Sequence, residues 1–75
     1  MSDVPLEVPI RDGSIRLGQL LKLSGLVDDG ASARELLERG LVEVNGEVDT
    51  RRGRQLRVGD VVAVDGGGSL RVTAG

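Results

Sequence analysis

The chain has 75 residues, 10 of them basic and 12 acidic, for a formal net charge of −2; that length leaves room for one small domain, 1–75, with a modest core. It holds no Cys and no His, so thiolate and imidazole metal sites, cysteine nucleophiles, Ser–His pairs and disulfides are excluded. It holds no Phe, Tyr or Trp either, which excludes the aromatic stacking platforms of single-strand nucleic-acid binders.

Residues 1–13 lack the continuous apolar core of a signal peptide, and no stretch is long and apolar enough to cross a bilayer. A soluble cytoplasmic protein without a cofactor is expected.

Leu6, Val8 and Ile10 alternate with Glu7 and Pro9, which is strand spacing; Pro9 lacks an N–H and puts this strand at a sheet edge. Asp12-Gly13-Ser14 predicts a turn, with Ser14 as N-cap of a helix over residues 15–24. Leu17, Leu20 and Leu21 fall at i, i+3, i+4 and form its buried stripe, while Arg16, Gln19 and Lys22 lie off it. Gly25 suits the C′ position, with Leu26 packing back on Leu21.

A second helix begins at Asp28 or Asp29, either of which can cap it, or at Ser32 through the Ser32–Glu35 capping-box spacing. Ala33, Leu36 and Leu37 are its buried stripe. Gly40 stops it, and Leu41 returns onto Leu36.

Val42 and Val44 share one face of the next strand. Asn45-Gly46 predicts a type I′ hairpin turn into a short strand at Glu47–Val48. Val58-Gly59-Asp60 reads as a turn, Val61–Val64 as a buried strand, 65–69 as a Gly-rich turn and 70–72 as a last strand. The order is β-α-α-β-β-β. The fold class is α+β, with two helices packed on one face of a small, mostly antiparallel sheet.

The charge is unevenly spread. Arg51, Arg52, Arg54 and Arg57 occur within residues 51–57 with no acid among them. Outside them, six basic residues face all 12 acidic ones. A cationic lobe on an anionic chain suits a polyanion at close range. The bland reading is a solvated loop. Against it, every charge in the run is a guanidinium, which makes bidentate phosphate contacts.

Other features carry less. Gly66-Gly67-Gly68 lacks the Lys-Ser/Thr and following helix of a P-loop. Lys22, the only lysine, would act as a catalytic amine only if buried. Arg34 has Glu38 at i+4, so pairing within its own helix competes with a binding role.

Three segments together carry a resemblance: Arg16-Leu17-Gly18-Gln19-Leu20-Leu21-Lys22-Leu23, then Ala33-Arg34-Glu35-Leu36-Leu37, then Gly40-Leu41-Val42-Glu43-Val44-Asn45-Gly46. With Glu47-Val48 and Leu56-Arg57-Val58-Gly59-Asp60-Val61-Val62 they resemble the RNA-binding domain named after ribosomal small-subunit protein S-four. The match spans 15–64 and looks most like the stand-alone, single-domain bacterial members. The resemblance implies a non-catalytic module that cradles structured RNA, ribosomal RNA among the candidates, on its helix pair and the following loop. It implicates Arg16, Lys22 and Arg34, with Arg51, Arg52, Arg54 and Arg57 extending the positive surface. Where that family often carries a Ser-Arg-Ser-like run, this chain has Asp29-Gly30-Ala31, which shifts weight to the arginine loop.

Two other readings stand beside it. Val44-Asn45-Gly46-Glu47-Val48 and Gly59-Asp60-Val61-Val62 also resemble ubiquitin-like sulfur carriers, whose chemistry needs a free C-terminal Gly-Gly. Here Gly67-Gly68 is followed by seven further residues. A protein–protein adapter using the acidic remainder or the sheet edge is the third reading.

Overall fold

Strand spacing and the helix spacing after it are both realised, but the boundary between them lies later than the sequence predicts. The computed structural model describes residues 5–75; residues 1–4, the start of the N-terminal segment read above, lie outside the described residues. The elements are β1 (Leu6–Ile10), β2 (Ser14–Arg16), α1 (Leu17–Leu23), α2 (Gly30–Glu38), β3 (Val42–Val44), β4 (Glu47–Val48), β5 (Gln55–Arg57), β6 (Val61–Val64) and β7 (Gly68–Ala74).

Five strands form one sheet in the order β1-β7-β6-β3-β4. Among the described residues only β1 and β7 run parallel, with Leu6 opposite Leu70 and Ile10 opposite Ala74. The other three pairings are antiparallel. The fold is α+β, as expected, and β1 with its Pro9 is an edge strand. Register places Val8 beside Val72, Val62 beside Leu70, and Val42 and Val44 beside Val64 and Val62. These residues are buried on one face, where Leu17, Leu20 and Leu21 of α1 and Ala33 and Leu37 of α2 join them. Each fully buried Leu or Val contributes on the order of 1.5–3 kcal/mol, so this aliphatic stack holds the fold without aromatics.

The first correction concerns Ser14 to Arg16. They are strand β2, paired antiparallel with β5 in a separate two-stranded ribbon, with Ile15 opposite Leu56 and Arg16 opposite Gln55. Ser14 therefore caps nothing. Helix α1 starts at Leu17, and its N-cap residue Arg16 is extended and makes no side-chain cap bond. Backbone carbonyls from the arginine loop take that role: Leu17 N–H donates to Arg54 O at 2.8 Å and Gly18 N–H to Arg52 O at 3.0 Å. Of the predicted cationic loop, Gln55–Arg57 is strand. Strand β7 also runs longer than 70–72, taking in Gly68, which sits opposite Val64 in the β6–β7 pair. Gly67-Gly68 is thus part of a hairpin and not a free tail.

Elsewhere local chemistry holds. Asp29, one of the two predicted caps, accepts from Ser32 N–H at 2.8 Å, so α2 starts before the Ser32–Glu35 alternative. Gly40, at φ 71°, closes α2 with N–H bonds from Gly40 to Leu37 O and from Leu41 to Leu36 O, the two bonds of a Schellman stop. After α1, Gly25 makes the corresponding bond to Lys22 O, but Leu26 N–H reaches Leu21 O through the Ser24 hydroxyl. Asn45 and Gly46 both have positive φ, 52° and 89°, as a type I′ turn requires. Asn45 also ties this turn to β6, accepting from Val61 N–H at 3.0 Å and donating to Asp60 at 3.2 Å.

Candidate nucleic-acid interface

Leu56 is fully buried, and its pairing with Ile15 pins the ribbon to the core. Strand alternation then turns Ser14, Arg16, Gln55 and Arg57 to the ribbon's other face, and all four are exposed. Arg16 and Arg57 thus share one surface. The chain between β4 and β5 loops back from this ribbon onto the start of α1.

That approach depends on Gly18. A Cβ at this position would stand 2.5 Å from Arg52 Cγ and 3.2 Å from Arg52 Cδ, so the Arg52 side chain lies where any other residue's side chain would begin. Beside this contact runs an open groove of about 410 Å³, lined by Arg16, Gly18, Gln19, Lys22, Gly30, Ala33, Arg52 and Gly53. Three cations from three elements meet there, and among the described residues none of them is in an ion pair. Small residues from α1, α2 and the loop leave the groove floor low.

The remaining loop arginines are differently engaged. Asp49 is buried, and its carboxylate accepts from Arg51 N–H at 2.8 Å, Arg51 Nε at 3.2 Å, Arg51 Nη2 at 3.0 Å and Arg54 Nη1 at 2.7 Å. The Arg51 hydrogen bonds, helped by Arg54, hold the Asp49 carboxyl well below the usual carboxylate range against the opposing effect of burial. The same contact raises the Arg51 guanidinium above its ordinary value. Freedom from acids, read across 51–57, therefore does not extend to the fold: Arg51 and Arg54, two of those four arginines, share the carboxylate of Asp49. Arg51 nevertheless keeps its side chain 72% exposed, whereas Arg54 is 31% exposed. One carboxylate between two guanidinium groups leaves the loop positive.

Arg34 lies apart from the groove lining and bonds Glu38 through Nε at 3.0 Å, the i,i+4 pair the spacing allowed. Asp49 and Gly18 are the residues that sequence reasoning missed. The Asp49-x-Arg51 spacing was the available signal for the first; nothing local marks the second. Among the described residues no group of three or more His, Cys, Asp or Glu is placed to hold a metal, and no helix is long and apolar enough to cross a membrane.

The model of the S4 domain family matches residues 8–73. This chain belongs to the S4 domain family. The S4 match takes in every element from β2 to β6, and with them the groove and the arginine loop. Over 58 residues the chain is 50% identical to the probable ribosome maturation protein RlbA of Bacillus subtilis (strain 168), covering 77% of this chain and 82% of that protein. It is also similar to the crystal structure of the 30S ribosomal protein S4e from Thermoplasma acidophilum, with a TM-score of 0.59 and 29% identity over 81% of this chain. The S4 fold described here spans 32% of that longer chain.

Proposed function

We propose that this S4-domain protein is a non-catalytic RNA-binding module that acts on the ribosome or its precursors. Family membership supports RNA binding, and the names of its relatives, a probable ribosome maturation protein and a 30S ribosomal protein, support ribosomal RNA as the partner. The observation that carries the reading is the meeting of Arg16, Lys22 and Arg52 around one open groove. Guanidinium and ammonium groups beside a low backbone floor are ligands for the phosphates of a strand running along the surface.

Structured RNA is the favoured form. Without aromatic rings there is no stack for an unpaired base, whereas phosphates at fixed spacing match a rigid cationic surface. Arg57 and Arg51 extend that surface along the ribbon and the loop, and Arg54 acts mainly through the fold. Titration against duplex, hairpin and single-stranded RNA at several salt concentrations tests this. Duplex or hairpin RNA should bind tighter than a single strand, with a steep loss on added salt. Equal, salt-insensitive binding to all three would overturn it.

A further inference from the structure

We propose that Asp49 is a positioning residue for RNA binding: a buried anion whose role is to set the shape of the cationic loop. The proposal rests on the RNA-binding reading above and concerns the same surface. Charge alone argues the other way. A carboxylate within a phosphate-binding lobe should repel RNA, and its removal should tighten binding.

The geometry assigns it a different part. Asp49 N–H donates to Val42 O at 3.0 Å, so the residue is tied to β3 through its backbone. Its carboxylate takes hold of Arg51 and Arg54 by four hydrogen bonds. The carbonyls of Arg54 and Arg52 in turn bond the first two N–H groups of α1. The chain of contacts runs from the sheet through Asp49 and the loop to the start of α1. Arg52 is carried between those anchor points and laid over Gly18, although it makes no hydrogen bond or ion pair with Asp49. Without the anion, two guanidinium groups lose a common partner and repel each other, and the loop that places Arg52 loses its tie to the sheet.

The test is a double-mutant cycle read by RNA titration, at a temperature where circular dichroism shows every variant folded. Asp49→Asn removes the charge and keeps the shape. Asp49→Glu keeps the charge and moves the carboxylate. Asp65→Asn, whose exposed side chain lies in the turn before β7, is the charge-matched reference for the first. We expect Asp49→Asn to bind hairpin RNA about tenfold more weakly than Asp65→Asn despite the equal net charge, and Asp49→Glu to bind more weakly than wild type. The loss caused by Arg52→Ala should shrink to under about twofold in either Asp49 background, a coupling that a lower folded fraction would not produce. Binding by Asp49→Asn as tight as the reference, or an undiminished Arg52→Ala loss, would overturn the proposal. Should wild type not bind structured RNA, or Arg52→Ala cost nothing in wild type, the RNA reading of the groove itself fails and the role of Asp49 falls with it.

Discussion

Gly18 and Arg52 meet at the junction of α1 and the arginine loop: the Gly18 N–H bonds the Arg52 carbonyl at 3.0 Å, and the Arg52 side chain covers the glycine's missing Cβ. Gly18→Ala sets two effects against each other. Alanine gains about 1 kcal/mol of helix propensity over glycine, while the new methyl overlaps Arg52 Cγ and displaces it at a cost of about 1–3 kcal/mol. Stability should fall by up to about 2 kcal/mol, and RNA affinity at a temperature where the variant stays folded should fall because Arg52 leaves the groove. Urea unfolding and RNA titration of the same variant measure both.

Asp49 sets part of the acid limb of stability. Its folded pKa lies below its unfolded value, near about 3.9, so its contribution is complete above that value and is lost as pH falls through it toward the folded pKa. Wild type should lose stability between about pH 5 and pH 3, and Asp49→Asn should lose less over that interval. The limb left in the variant includes Asp29, whose carboxyl is lowered by the Ser32 N–H. Urea midpoints across that range are the measurement; parallel curves for the two proteins would show that the Asp49 bonds do not form in solution.

Asp29→Ala removes the side-chain cap of α2 and should lower the thermal midpoint. Asp29 is not among the groove-lining residues, so at a temperature where the protein stays folded its RNA affinity should match that of the charge-matched Asp65→Asn variant. Thermal unfolding beside titration separates the two effects.

Leu56→Ala should be far more damaging. Leu56 is fully buried and joins the ribbon to the core, and such truncations cost about 2–5 kcal/mol. For a domain whose whole stability is about 5–15 kcal/mol, that is a large share. The loss should appear as a lower urea midpoint.

Legibility in the sequence followed the range of the contacts. Asp29, Gly40 and Asn45-Gly46 act on their own neighbours; local spacing narrowed the helix start to Asp28, Asp29 or Ser32 and placed the helix stop and the hairpin turn. Ser14 to Arg16 misled because their partner, Gln55–Arg57, lies some forty residues on, and no local pattern announces an antiparallel ribbon. Ile15, β-branched and opposite the buried Leu56, suits strand over helix there. The cationic surface was legible as composition, and Arg16, Lys22 and Arg52 do line one groove. The division of labour within the arginines was not. A count over 51–57 stops short of Asp49, and the ion pairs of that buried carboxylate show that it holds Arg51 and Arg54.

The most direct measurement is the salt dependence of hairpin RNA binding by wild type and by the Arg16→Ala, Lys22→Ala, Arg52→Ala triple variant. None of the three makes an ion pair among the described residues, so the variant should stay folded. On duplex RNA, removing three phosphate contacts should flatten the plot of log affinity against log salt by roughly 2.7, from about 0.9 per contact, and weaken binding at low salt. A triple variant with wild-type slope and affinity would contradict the groove as the RNA site.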